Sequence, residues 1–260
     1  MTKAVALTIA GSDPSGGAGL QADLKTFHQF GVYGEAVVTL VTVQNTISVS
    51  RVECLDAGLV TAQLRAVVVD IPPGAAKTGA LGNAAIIEAV AAEAAGWRFQ
   101  LVIDPVMVSK HGASLIGADA VAALKSKLFP LAALVTPNLD ETRALTGRAV
   151  TDLEGMRDAA SAILDLGPKA VLIKGGHLVG PADDVLYDGY NWLTLHAERV
   201  PTPHTHGTGC TYSAAIAAGL AKGQPLVEAV AIAMRFITEA IRTNPGLGAG
   251  SGPVNHHAAV

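Results

Sequence analysis

The chain is predicted to be an α/β protein with a mostly parallel sheet, helices on both faces and an antiparallel hairpin added late. Three observations carry this. Strand-like and helix-like segments alternate along most of the 260 residues. Glycine-rich loops join a strand to a helix near Gly11 and again near Gly207. Apolar residues alternate around Asp188-Gly189, a hairpin signal.

The elements follow in order. The run "AVALTIA" predicts a buried first strand over 4–10, and the pattern from Gly19 to Phe30 predicts a helix. The β-branched stretch "EAVVTLVTVQ" predicts a strand over 35–44. A helix is expected over 59–70, then a short strand over 75–81. An Ala-rich helix over 83–95 follows, with Asn83 as N-cap. "QLVIDPVMV" predicts a strand over 100–108, ended by Pro105. A helix near 117–128 and a strand over 132–138 come next, and then short helices over 139–146 and 151–166. A strand over 170–176 precedes the hairpin, and two long helices over 208–222 and 225–243 close the pattern before a Gly-rich, coil-like tail. Alternation of this kind implies a mostly parallel sheet covered on both sides. No linker, repeat or low-complexity segment divides the chain, so 1–260 reads as one domain.

Composition excludes several classes. Half the residues are apolar and aromatics are few, a globular composition with many small helix-packing side chains. The formal charge of −4 leaves no basic excess to attract nucleic acid or anionic lipid. Apolar stretches are interrupted well before the ~18 residues that a membrane span requires. The opening apolar run reads as a strand and not as a signal peptide. The two cysteines, Cys54 and Cys210, make neither a metal spacing nor a disulfide framework, which fits a reducing, cytoplasmic setting.

In doubly wound sheets ligands sit beyond the carboxyl ends of strands, so the loops leaving each strand carry the candidates. The first, "GSDPSGGAG" from Gly11 to Gly19, is not a P-loop, because Gly17 and Ala18 stand where Lys and Ser/Thr are needed. It is not a clean dinucleotide fingerprint either. Gln44 stands near the place of the acidic ribose contact, which weakens an oxidoreductase reading. Asp23, one turn on, suits a hydroxyl or amine better than a pyrophosphate. A tight strand-to-helix turn accounts for the same glycines without a ligand. In the second loop, Gly207, Thr208 and Gly209 precede a helix whose first amides and dipole favour an oxyanion or phosphate. Cys210 falls in the first turn, where the helix field favours a thiolate, although a small buried Cys is the ordinary alternative.

Asp104 ends a strand, and Asn138 with Glu141 forms N-x-x-E after another. Such oxygens suit Mg²⁺, which keeps most of its waters. The same N-x-x-E also suits a helix capping box. Lys174 at a strand end is placed to neutralise a transferring phosphoryl group. Gln44 ends the second strand with an amide able to give and take hydrogen bonds with a heteroaromatic ring. His177, His204 and His206 lack metal spacing as a set, and His204 and His206 read as loop residues.

The segments "TIAGSDPSGGAGLQADLKTF", "VTVQNT", "AKTGALG", "VIDPVMVSKHGASL", "VTPNLDE", "VLIKGGH", "HGTGCTYSAAIAAGLAKG" and "GPVNH" occur in order and cover nearly the whole chain. With them the sequence resembles the ribokinase-like superfamily and, within it, the hydroxymethylpyrimidine/phosphomethylpyrimidine kinases of thiamine biosynthesis. The resemblance implies a three-layer α/β/α fold. It implies ATP- and Mg²⁺-dependent phosphorylation of 4-amino-5-hydroxymethyl-2-methylpyrimidine, then of its monophosphate. It implies that Gln44 and Asp23 bind the aminopyrimidine, with Gly11 and Val108 lining the pocket. Asp104, Asn138 and Glu141 then surround the metal and phosphates, Lys174 contacts ATP, and Gly207 to Cys210 form the anion hole. Many sugar kinases of the superfamily carry Asp where this chain has Cys210, which points away from sugars. A pyridoxal or dual-specificity kinase is the nearest alternative, and a catalytically silent pyrimidine-binding protein is the alternative from another class. The superfamily often dimerises, so a homodimer is expected as well.

Overall fold

The structure is a computed structural model describing residues 3–107, 116–176, 178 and 180–260. The first strand, β1 (Val5–Ser12), is buried along all its inner residues and lies in the middle of the sheet. Helix α1 (Gly19–Gln29) follows, then β2 (Tyr33–Gln44), β3 (Val49–Cys54), α2 (Ala57–Asp70) and β4 (Ala75–Thr78). Next are α3 (Ala84–Ala94), β5 (Gln100–Ile103), α4 (Ala118–Ala123), β6 (Leu134–Val135), α5 (Leu139–Thr146) and α6 (Leu153–Leu164). The chain continues through β7 (Val171–Ile173), β8 (Asp184–Tyr187), β9 (Trp192–Leu195), α7 (Thr208–Ala221) and α8 (Leu226–Arg242). Among the described residues the strands form one nine-stranded sheet in the order β3-β2-β1-β4-β5-β6-β7-β8-β9. The run from β2 through β1 to β7 is parallel, whereas β3, β8 and β9 each pair antiparallel with their neighbour.

Alternation along buried strands divides the core in two, because successive side chains point to opposite faces. Leu7, Ile103, Val135 and Val171 pack with Leu64, Ile86 and Met156 from α2, α3 and α6. Ala6, Val102, Leu134 and Leu172 pack with Phe27, Ile216 and Phe236 from α1, α7 and α8. Three layers result, as the sequence resemblance implies. Asn83 caps α3 as expected, its side chain accepting from the Ile86 amide at 3.0 Å.

From β1 the chain winds outward to β2 and β3, then returns to β4 on the other side of β1. The winding direction therefore reverses beside β1, and a crevice opens past the carboxyl ends of β1 and β4. Among the described residues no helix is long and apolar enough to cross a membrane.

Several boundaries differ from the sequence expectation. Strand β3 carries no buried apolar face, so its pattern is silent; pairing with β2 from Leu40↔Cys54 to Gln44↔Val49 creates it. Strand β5 stops at Ile103, where the Asp104 amide donates to the Thr78 carbonyl and Val106 folds back onto the Asp104 carbonyl at 2.8 Å. Pro105 offers no ladder donor. The expected helix near 117–128 is α-helical only over Ala118–Ala123, then widens into a π turn over Leu124–Leu128. The Gly-rich tail is tied down: the His206 amide donates to the Gly252 carbonyl, and the Val254 amide to the His206 carbonyl.

Candidate active site

A cavity of about 820 Å³ lies at this crevice. Gly11, Gln44, Asp104, Asn138, Glu141 and Lys174 all line it, as do Gly207, Thr208, Gly209 and Cys210. Loops far apart in sequence therefore meet over one space. An apolar stretch of the wall comes from Val200, Pro201, Met234, Ile237 and Ile241, residues given no role by the motifs.

The start of α7 is shaped by contact between the two glycine loops. Gly207 has φ +78°, and a Cβ there would stand 1.8 Å from the Gly17 carbonyl oxygen. Only glycine allows this approach in that conformation. Among the described residues no side chain caps α7, so its opening amides remain suited to an anion. The Thr208 hydroxyl donates to the Thr205 carbonyl at 2.8 Å and holds the turn. A Cβ on Gly209 would come within 3.2 Å of Lys174 Nζ, so glycine keeps the ammonium close to the helix start.

Lys174 Nζ lies 2.9 Å from Asp104 Oδ1, and the Ser213 hydroxyl donates to Asp104 Oδ2 at 3.2 Å. Burial disfavours the Lys174 charge, but Asp104 and Glu141 outweigh it and hold the ammonium above its usual range. Burial pushes the Glu141 carboxyl up to about 8; Lys174 opposes this and Asp104 adds to it. Asn138 and Glu141 form a complete capping box on α5, with bonds of 2.9 Å and 2.8 Å. The helix thus uses the Asn138 amide oxygen and one Glu141 oxygen while both residues still line the cavity. Among the described residues no three His, Cys, Asp or Glu side chains assemble as a metal cage. A Mg²⁺ ion fits this arrangement, since it keeps waters and needs few protein oxygens beside those of a nucleotide. Asp104 and Glu141 are the side chains that would hold it: the Asp104 oxygens already accept from Lys174 and Ser213, and one Glu141 oxygen is used by the cap.

Three expectations need correction. Asp23 does not line the cavity. It is fully buried, accepts from Thr8 Oγ1 at 2.5 Å and from Lys77 Nζ at 2.9 Å, and so is spent inside the core. Cys210 is not poised as a thiolate. It keeps partial exposure because it opens onto the cavity, yet it lies deep beneath the outer surface. Burial pushes its thiol up to about 11, against the opposing pull of Lys77 and a bond from the Gly19 amide. His206 is not a plain loop residue: it is buried, with Nε2 2.8 Å from Asp13 Oδ2 and 3.3 Å from Gln44 Nε2. His204 accepts the Gly252 amide on Nδ1 at 3.1 Å and anchors the tail. Val108, expected in the acceptor pocket, and His177 lie outside the described residues.

The motif reading missed Asp13. Its carboxylate accepts the amides of Ser15, Gly17 and Ala18 and so builds the first glycine loop. Burial would raise its pKa, but hydrogen bonds from His206 and Ser15 prevail and lower it to about 2. The Asp-Pro-Ser turn chemistry was the available signal. Asp184 was missed as well. It lines the cavity, accepts the Gly175 amide at 2.9 Å and is raised to about 7 by burial. No local pattern marks it, because it sits inside an ordinary strand.

A doubly wound sheet, an uncapped helix start and a lysine held among carboxylates on one cavity define a ribokinase-like small-molecule kinase. Residues 13–255 match the profile described as phosphomethylpyrimidine kinase, and the chain belongs to that family. It is 51% identical over 252 residues to the thiamine biosynthesis bifunctional protein ThiED of Geobacter sulfurreducens, covering 96% of this chain and 51% of that protein. It is 48% identical over 256 residues to a hydroxymethylpyrimidine/phosphomethylpyrimidine kinase of Streptomyces coelicolor, covering 98% and 95%. Among solved structures, a Bacillus subtilis pyridoxal kinase with ADP superposes with a TM-score of 0.91 at 41% identity, covering 99% and 98%.

Proposed function

We propose that this chain, acting as one kinase domain over 1–260, transfers the γ-phosphoryl group of ATP to the hydroxymethyl oxygen of 4-amino-5-hydroxymethyl-2-methylpyrimidine. It then phosphorylates the monophosphate to the diphosphate, in the thiamine pathway. The observation that carries this reading is that Gln44 and the Gly207–Cys210 helix start line the same cavity. Gln44 and Gly11 seat the ring. The α7 amides with Lys174 receive phosphoryl oxygens, so charge is met by groups already in place. Mg²⁺, when bound beside Asp104, neutralises phosphate charge further. A loose transition state asks for little early deprotonation of the attacking hydroxyl. A neutral Cys210 thiol therefore serves as a donor at the helix start. The kinship with a kinase from Streptomyces coelicolor supports the pyrimidine as acceptor.

A second reading, pyridoxal as acceptor or co-acceptor, is favoured by the likeness to the Bacillus subtilis pyridoxal kinase. Product mass after incubation with ATP, Mg²⁺ and each alcohol decides between them. The pyrimidine is expected to gain first one and then a second phosphoryl group; phosphorylation of pyridoxal alone would reverse the assignment. The same proposal places the chain in the cytoplasm as a homodimer. Exposed Val41, Val43 and Ile47 along the β2–β3 ribbon support the second point, and sedimentation equilibrium tests it.

A further inference from the structure

His206 stands between two groups that make opposite demands on one nitrogen. Its Nε2 lies 2.8 Å from Asp13 Oδ2. Asp13 is held ionised by three backbone amides and the Ser15 hydroxyl, and an ionised carboxylate only accepts. Nε2 therefore carries a hydrogen, whether the ring is neutral or cationic. The same Nε2 is 3.3 Å from the Gln44 amide, whose nearest atom is placed as Nε2. Two N–H donors make no hydrogen bond. A half turn of the amide, which leaves its shape unchanged, puts Oε1 against the imidazole instead.

We propose that His206 is a positioning residue that fixes the orientation of the Gln44 amide, and so sets the donor and acceptor order the pocket shows to an incoming ring. This rests on the reading of the cavity as an aminopyrimidine kinase site. With one lone pair of Oε1 sharing the Nε2 hydrogen that Asp13 also accepts, the second lone pair and the NH₂ group remain for the ligand. That pair matches an exocyclic amine beside a ring nitrogen, as a glutamine amide pairs with an adenine edge. A ring lacking the amine leaves the acceptor unmatched, and a buried polar group left unpaired discriminates strongly. The imidazole has little freedom to turn away. It is 3% exposed, a Cβ on Gly17 would lie 2.5 Å from its Cδ2, and its backbone is paired on both sides by Gly252 and Val254.

The test compares kcat/KM for the pyrimidine alcohol and for pyridoxal in wild type, His206→Leu, His206→Gln, Gln44→Leu and the Gln44→Leu/His206→Leu pair. His206→Leu is expected to lower the pyrimidine-to-pyridoxal ratio by about tenfold or more, chiefly through KM for the pyrimidine. His206→Gln, which returns an N–H near the Nε2 position, is expected to stay within about threefold of wild type. In the Gln44→Leu background, removing His206 is expected to change the ratio no further, since the two act as one unit. An unchanged ratio in His206→Leu, including an equal loss on both acceptors, overturns the proposal, and so does a ratio change that persists in the Gln44→Leu background. Should His206→Leu fail to fold, long-range ¹H–¹⁵N spectra of wild-type histidines decide. Protonated Nε2 at neutral pH is required, and an Nε2 without hydrogen sinks the proposal. A wild-type chain that leaves the pyrimidine unphosphorylated fails the functional reading instead, and the spectra still judge His206.

Discussion

Lys77 and Asp23 form an ion pair with no exposed surface on either side chain, Nζ to Oδ2 2.9 Å, within electrostatic reach of the Cys210 thiol. Burial alone would strip Lys77 of its charge; Asp23, with Asp104 adding to it, reverses this and holds the ammonium above its usual range, while burial in turn pushes the Asp23 carboxyl up. Removing one partner leaves an uncompensated charge in the core. Lys77→Met is therefore expected to destabilise the fold by about 3–5 kcal/mol, whereas Asp23→Leu/Lys77→Met recovers much of that loss. Urea unfolding checks both. A single variant as stable as wild type would show that the pair is not ionised.

Cys210 gives a second expectation. With its thiol near 11, the thiolate fraction is small at neutral pH and grows as pH rises, so alkylation by iodoacetamide is expected to accelerate steadily up to that value. Cys210→Ala is expected to reduce kcat on the order of 10²-fold with nucleotide affinity little changed. Cys210→Ser, which keeps a donor, is expected to lose much less. Equal losses in the two variants would exclude the donor role.

Lys174 stands beside the helix start, its Nζ 3.2 Å from where a Cβ on Gly209 would be. Lys174→Met removes the charge that Asp104 and Glu141 hold in place and is expected to cut kcat on the order of 10²–10³-fold. Asp104→Asn is expected instead to raise the Mg²⁺ concentration needed for half-maximal rate. Kinetics titrated with Mg²⁺ separate the two effects. An unshifted Mg²⁺ requirement in Asp104→Asn would remove that carboxylate from the metal site.

Asp13 links stability to pH. Its folded pKa of about 2 lies below the ordinary 3.8, so its contribution is present above 3.8 and is lost as pH falls toward 2. Asp13→Asn is expected to cost about 1–2 kcal/mol at pH 7, with the difference from wild type shrinking as acid protonates the native carboxylate. Unfolding free energies at neutral pH and near pH 3 test the sign. A difference that grows with acidity would contradict the assignment.

Much of the architecture was readable locally. The apolar runs at β1, β4 and β7 need burial on two faces, and the glycine loops mark where strands hand over to helices. Sheet position made β3 a strand, since its Arg51 and Glu53 face water and only the partner β2 gives it a ladder. The N-x-x-E signal was ambiguous because capping and cavity lining use the same two residues, Asn138 and Glu141, and the structure shows both at once.

By itself the sequence determined the layered α/β class and the helix start at Thr208, because periodicity, glycine and turn chemistry act over a few residues, while the resemblance of its motifs to a family singled out Gln44, Lys174 and Asp104. Tertiary structure alone decided that Asp23 belongs to Lys77 and that His206 meets Asp13 across 193 positions. Those outcomes depend on which strands become neighbours, and on whether a carboxylate then finds a buried cation or the open crevice.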